Sequence, residues 1–301
     1  MKQLKKTRED TALPTSYSWR SNFIPAILNY IKLTRPVNNF ITALSVLVGA
    51  AIAGKIESWT MVLFACLSAF FISAGGNVIN DFFDIDIDRI NKPNRLLPRA
   101  KIPPNSALIW SILLFLAGLI LSLQVRPLSL LIAFIAYVFL VLYSYILKKT
   151  FLWGNLTVSV VSALAFVYGG IATEDFRLSL IPAAFALLFH LGREILKDIE
   201  DIKGDSSAGA STLPIKLGVK FSLDICTVIF LFLIGLTVVP YLLHIFSLLY
   251  LLAVVLGVDL SLIYLIWSMR RNPTPPNLHR LSNLLKIEMF AGLAAIFLGK
   301  F

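Results

Sequence analysis

Nine of the 17 acidic residues lie in two short stretches, Asp81, Asp84, Asp86 and Asp88 in the first and Glu194, Asp198, Glu200, Asp201 and Asp205 in the second. The first runs Asn80-Asp81-Phe82-Phe83-Asp84-Ile85-Asp86-Ile87-Asp88. Spacing by four puts Asn80, Asp84 and Asp88 on one helical stripe, with Asp81 one position round from Asn80. In the second stretch Asp201 and Asp205 are again four apart, with Asp198 one turn earlier on nearly the same face. Like charges stacked this way repel, and in the first stretch the intervening residues are Phe and Ile rather than Lys, so a bound cation is the simplest remedy. Mg²⁺ takes hard oxygen ligands and is typically held by one or two carboxylates while substrate phosphate fills further positions. Two facing stripes therefore suit a diphosphate bridged by metal ions, with Asp81, Asp84, Asp88, Asp201 and Asp205 as the candidate metal ligands. Sulfur and imidazole are missing from both stretches, which disfavours zinc and copper. An EF-hand reading of Asp84, Asp86 and Asp88 fails, because its sixth position would be Arg89 and its twelfth Arg95.

These acids must be carried by a membrane protein. The chain is 57% apolar and only 15% charged, and its mean hydropathy is +0.81. Stretches long enough to cross about 30 Å of hydrocarbon recur along nearly the whole length. Nine are expected, at about 37–54, 58–79, 105–124, 128–147, 154–172, 177–194, 222–244, 247–268 and 283–299. The fold class is thus all-α and integral to the membrane, nine transmembrane helices in a bundle around a central cavity. Each acidic stretch follows the end of an apolar segment, the second and the sixth, so both should stand at the same face. The first residues are polar and basic, without the apolar core and cleavage site of a signal peptide, so residues 1–22 read as a cytosolic tail and 23–301 as one membrane domain.

Of the 27 Lys and Arg residues, all but Lys55, Arg126, Arg177 and Lys300 fall on the N-terminal side of this topology. The positive-inside rule then puts the N-terminus, the long loops and the candidate site in the cytosol, in a multi-pass protein of the cell membrane. The net charge of +10 follows from this asymmetry and favours contact with the anionic surface of the lipid bilayer; a nucleic-acid partner is not needed, and no obligate protein partner is evident. Cys66 and Cys226 lie inside apolar segments and read as packing residues.

Asn80-Asp81-x-x-Asp84-x-x-x-Asp88 followed by Asp201-x-x-x-Asp205, in a chain of nine membrane helices, resembles the UbiA superfamily of intramembrane prenyltransferases. The likeness spans roughly residues 30–300 and includes Arg35-Pro36-x-Asn38, Tyr143-Ser144-x-x-Leu147-Lys148 and Gly154-Asn155. The stretch Arg95-Leu96-Leu97-Pro98-Arg99-Ala100 departs from the family's more usual Arg-Pro-x-Pro-Ser-Gly. Arg193-Glu194-x-x-Lys197-Asp198-Ile199-Glu200-Asp201-x-x-Gly204-Asp205, with Gly209 and Thr212-Leu213-Pro214 beyond, is most similar to the branch that transfers geranylgeranyl from its diphosphate to the free hydroxyl of geranylgeranylglyceryl phosphate, an ether-lipid precursor.

The resemblance implies metal-assisted ionisation of an isoprenyl diphosphate donor. Mg²⁺ on Asp84 and Asp88 at one side and Asp201 and Asp205 at the other would neutralise charge on the departing diphosphate, with Asn80 bonded to a metal-bound water. Lys148, Arg95, Arg193 and Lys197 are candidates for phosphate contact. Tyr143, Tyr145, Phe82 and Tyr168 lie near the ends where aromatic faces could stabilise an allylic cation. The acceptor's proton could leave to Asp198, Glu194, diphosphate or water. A lipid-like glycerol phosphate acceptor would call on Arg35, Lys32 and Lys203, with Asn38 orienting. An aromatic prenyltransferase of quinone, tocopherol or chlorophyll type would share the donor site and differ in the acceptor pocket. An ion-coupled transporter is the remote alternative, disfavoured by acids at one membrane face rather than the midplane. Asp259, midway along the eighth segment, is expected to bond a neighbouring helix or to be protonated rather than to catalyse, and His190 to pack.

Overall fold

Proline in the first turn opens five of the long helices, where its missing N–H costs no intrahelical bond. The structure, a computed structural model, describes residues 23–173 and 175–300; the expected tail over 1–22 lies outside the described residues. In chain order the helices are α1 (Phe23–Leu33), α2 (Pro36–Ala53), α3 (Trp59–Phe83), α4 (Ile85–Asn91), α5 (Pro104–Ser122), α6 (Pro127–Tyr145) and α7 (Trp153–Ile171). They continue with α8 (Leu180–Glu200), α9 (Ile202–Ser207), α10 (Leu213–Leu242), α11 (Leu248–Val254), α12 (Leu260–Arg271) and α13 (Pro275–Leu298). A single π-helical turn over Val255–Asp259 joins α11 to α12 as one span. Among the described residues nine helical segments are long and apolar enough to cross a membrane.

The expected spans match these nine, with three differences. α10 begins at Leu213 and α13 at Pro275, well before the expected 222 and 283. The added turns carry Lys216 and Lys220, or Asn277, His279 and Arg280, whose polarity ends a hydropathy signal without ending a helix. The start of α10 also bends at Gly218, at φ +85°. The sixth span runs on to Glu200, so the second acidic stretch begins inside the helix rather than after it.

Close helix crossings hold the bundle where little apolar contrast with lipid can drive it together. A Cβ on Gly169 of α7 would lie 1.9 Å from the Val46 carbonyl oxygen of α2, so only glycine permits this approach. The α3–α5 crossing is tied by Ser68 donating to the Gly118 carbonyl at 2.8 Å and Ser111 to that of Gly75 at 3.0 Å. Large exposed apolar side chains, among them Ile120, Phe232 and Leu256, form the outward surface a bilayer covers. Asp259 is buried and accepts the Thr237 hydroxyl of α10 at 3.2 Å, the interhelical bond expected for it.

Candidate active site

The two acidic stretches share one backbone construction. α3 ends at Asp84 (φ −93°, ψ 3°) and α4 starts there; α8 ends at Asp201 (φ −92°, ψ 6°) and α9 starts there. Each aspartate turns the chain without breaking its bonding. Asp84 N–H donates to Asn80 at 3.0 Å and Asp88 N–H to Asp84 at 2.7 Å, while Asp201 N–H donates to Lys197 at 2.8 Å and Asp205 N–H to Asp201 at 3.1 Å. The four-residue stripes therefore survive the turns.

Asn91, the last residue of α4, fastens the two turns together. Its Nδ2 donates to the Asp201 carbonyl at 3.1 Å, and its Oδ1 accepts the Gly204 N–H at 3.0 Å. A Cβ on Gly204 would stand 2.3 Å from that amide nitrogen, so glycine is what lets α9 close on Asn91. Beside it Lys92 donates to Asp201 Oδ2 at 2.5 Å. Both acidic helices thus stand at one end of the bundle, as the topology of the sequence required.

Each carboxylate of the first stretch that faces inward meets a cation. Asp81 pairs with Arg35 and, at 3.1 Å, with Arg95; Asp88 pairs with Arg95 and Asp84 with Lys148. Asp86 points away, at 2.8 Å from Arg89 on the surface. Burial raises the Asp88 carboxyl above its usual range, opposed by Arg95. Burial lowers the Lys148 ammonium, with Asp84 acting against the shift. For Arg95 burial is outweighed by Asp81 and Asp88, and its affinity for the proton rises. Asp205 is pushed up to about 7 by burial and by the nearby charges of Asp201 and Asp84. These two acids from opposite stretches therefore share one field.

Arg35 reaches Asp81 from the junction of α1 and α2, where it adopts the left-handed conformation, at φ 55° and ψ 67°. A non-glycine residue there costs of order 1–2 kcal/mol, held by the surrounding structure. The holding network is visible: Asn39 Nδ2 donates to the Thr34 carbonyl at 2.8 Å, and Asn77 Nδ2 to Thr34 at 3.1 Å and to Asn39 Oδ1 at 2.9 Å. Ala100 also has positive φ, at 52°, in the loop where the family pattern has glycine; the departure from Arg-Pro-x-Pro-Ser-Gly keeps the turn and strains it.

Below this end opens a cavity of about 860 Å³, lined by Arg35, Asn38, Asn80, Arg95, Tyr143, Arg193 and Lys197 among the expected residues. Tyr168 lines it too, its hydroxyl bonded to Ser68 at 2.9 Å. Asp81, Asp84, Asp88 and Asp201 are not on the lining themselves but stand behind it: Asp81 and Asp88 bond Arg95, Asp201 bonds Lys92, and Asp84 accepts from Asn80 at 2.9 Å. Lys148, Asp198 and Asp205 lie off the lining; Asp198 accepts the Asn155 amide at 2.8 Å. Tyr145 is exposed, and Phe82 packs on Phe83. Lys32 and Lys203 are exposed surface residues outside the lining, so of the expected acceptor contacts only Arg35 and Asn38 reach the cavity. His190 lines it while stacking edgewise on Phe189.

The residues fit a hard divalent cation. Asn80 Oδ1 is buried without a hydrogen-bond partner among the described residues, on the amide whose Nδ2 bonds the Asp84 carboxylate. No three His, Cys, Asp or Glu side chains among the described residues converge as a ready cage. The sequence reading missed Asn91 and Lys92, and gave Gly204 only as a motif position. The first two extend the Asn80, Asp84, Asp88 stripe by one more turn, a continuation that could have marked them.

An apolar chamber within a helical bundle, closed at its polar end by carboxylates and phosphate-seeking cations, defines an intramembrane transferase of isoprenoid groups. The chain belongs to the UbiA prenyltransferase family, whose family model matches residues 42–287. It is a multi-pass membrane prenyltransferase. It is similar to a digeranylgeranylglyceryl phosphate synthase of Methanosphaera stadtmanae, at 34% identity over 270 residues covering 90% of this chain and 98% of the relative. A solved structure of a digeranylgeranylglyceryl phosphate synthase is 36% identical, with a TM-score of 0.73 over 92% of this chain and 99% of the other. A UbiA homolog from Archaeoglobus fulgidus bound to DMAPP and Mg²⁺ shares the fold at 17% identity, with a TM-score of 0.66 over 89% of this chain and 99% of that one.

Proposed function

We propose that this prenyltransferase moves a geranylgeranyl group from geranylgeranyl diphosphate to the free hydroxyl of geranylgeranylglyceryl phosphate, in ether-lipid synthesis. The observation that carries the donor half is the cavity itself, which joins a carboxylate-and-cation end to an apolar interior. The acceptor half rests on the relatives named above.

A divalent cation, Mg²⁺ in this reading, supplies neutralising charge for the leaving diphosphate. Asp84 and Asp88 on one stretch and Asp201 and Asp205 on the other are the residues that would hold it, with the free Asn80 Oδ1 as a further oxygen. Asp81, enclosed by Arg35 and Arg95, acts behind them by aiming both guanidiniums. Arg95 and Lys148 bind donor phosphate oxygens, exchanging a carboxylate for a phosphate. The carbon–oxygen bond of the donor breaks with its electron pair leaving on diphosphate, and the acceptor oxygen closes on the allylic carbon as its proton passes to the departing diphosphate. Tyr143 and Tyr168, on the cavity wall, present ring faces to that carbon's positive charge while the apolar walls exclude water. The bias of Lys and Arg toward one face supports the cytosolic side of the cell membrane for this chemistry.

The test offers purified protein geranylgeranyl diphosphate and Mg²⁺ with geranylgeranylglyceryl phosphate, 4-hydroxybenzoate and homogentisate in parallel. Ether formation on the glycerol phosphate is expected; transfer only to an aromatic ring would overturn the acceptor assignment.

A further inference from the structure

At the acidic helices Arg35, Lys92, Arg95 and Lys148 each have a carboxylate partner. The wall that α8 and α13 give the same cavity is different. Arg193 and Lys197 share the single carboxylate of Glu194, at 2.8 Å and 2.9 Å, so those three side chains keep one net positive charge. The Nε of Arg193 is buried and has no hydrogen-bond partner among the described residues. Across from them Lys286 of α13 is half-buried, and among the described residues its Nζ donates to the neutral amide of Asn283 alone, at 3.1 Å. It lines the same cavity as the cations Arg193, Lys197 and Arg35, with Glu200 as the acid that acts on it there. That acid is itself engaged by His279 at 2.8 Å.

Cations gathered on one cavity wall favour a compensating anion, and a guanidinium with two ammonium groups on the same wall suits a phosphate monoester. Resting on the prenyl-transfer reading above, we propose that Arg193, Lys197 and Lys286 seat the phosphate of the acceptor lipid, apart from the donor diphosphate. Lys286 is then the residue that sets the preference for a phosphorylated over an unphosphorylated acceptor. The acceptor's apolar chain continues into the cavity, and its headgroup stands on this wall.

The full chain in detergent or nanodiscs, with geranylgeranyl diphosphate and Mg²⁺, is assayed with geranylgeranylglyceryl phosphate and with geranylgeranylglycerol. Lys286→Gln and Lys286→Met, the second keeping the packing of the stem, are each expected to raise the KM for the phosphorylated acceptor about tenfold or more. The donor KM should move less than about twofold, and the kcat/KM preference for the phosphorylated acceptor should fall by the same factor as its KM rises. Lys286→Arg should recover most of the preference. An equal loss with both acceptors, a shift in donor KM instead, or an unchanged preference overturns the subsite. Direct binding of geranylgeranylglyceryl phosphate without donor, followed by ³¹P NMR, separates the two readings. Binding that needs Lys286 in a protein that never alkylates the lipid refutes the reaction and upholds the subsite; alkylation indifferent to Lys286 does the reverse.

Discussion

Replacing Asn91 by alanine removes both hydrogen bonds that tie α4 to α9. Partly buried bonds of this kind contribute about 1 kcal/mol each, so the apposed arrangement loses about 2 kcal/mol, close to a 30-fold shift. Because the carboxylates of both stretches must act on one donor, that loss should appear as a weaker apparent Mg²⁺ affinity of up to about 30-fold, with a smaller change in thermal stability. Gly204→Ala reaches the same contact from the other side, since its Cβ would stand 2.3 Å from Asn91 Nδ2 and must displace the Asn91 amide from its two bonds. The two substitutions should therefore not add: once Asn91 is alanine, the three nearest atoms that Gly204→Ala would meet are gone, and it costs little more. The assay is prenyl transfer under Mg²⁺ titration for the parent, each single variant and the double variant. Additive losses in the double variant would refute the idea that Asn91 and Gly204 act as one fastening.

Other outcomes follow from neighbouring contacts. Asp205, pushed up to about 7, is protonated in the metal-free protein well above the pH where a free aspartate ionises. Proton and cation compete for it, so apparent Mg²⁺ affinity should rise with pH through about 7 and level off above, and Asp205→Asn should flatten that dependence. In chelator the sign reverses, because the folded state binds the extra proton: this residue's contribution to stability falls as pH rises from about 4 to about 7, as melting of parent and Asp205→Asn would record. Ala100→Gly relieves the left-handed strain at φ 52° and should stabilise the protein by up to about 1 kcal/mol, read from its melting temperature. Arg35→Ala leaves buried Asp81 with Arg95 alone and should cost about 2–4 kcal/mol, part of which Arg35→Ala with Asp81→Asn recovers.

The nine spans were legible because each carries its own hydropathy and needs no partner to be recognised. The stripes of Asn80, Asp84 and Asp88 and of Asp201 and Asp205 were legible because the turns at Asp84 and Asp201 preserve the four-residue bonds. The turns themselves were invisible for the same reason. Asn91 and Gly204 lie 113 positions apart, and nothing local in either marks the other. Lys286 had no such signal: one lysine on a half-polar helix looks like an interface anchor until Arg193 and Lys197 are found facing it. Polar first turns hid the true starts of α10 and α13, because hydropathy reports the lipid-crossing part of a helix and not its length.

The claim on which the rest depends is that both acidic helices hold one donor diphosphate through a divalent cation. Equilibrium binding of a non-ionising thiolodiphosphate analogue of the donor measures this without turnover. Tight binding should require Mg²⁺, vanish in chelator, and fall by at least about tenfold in Asp84→Asn and in Asp201→Asn alike. Binding that persists in chelator, or that only one of the two variants weakens, would contradict a site built from both helices.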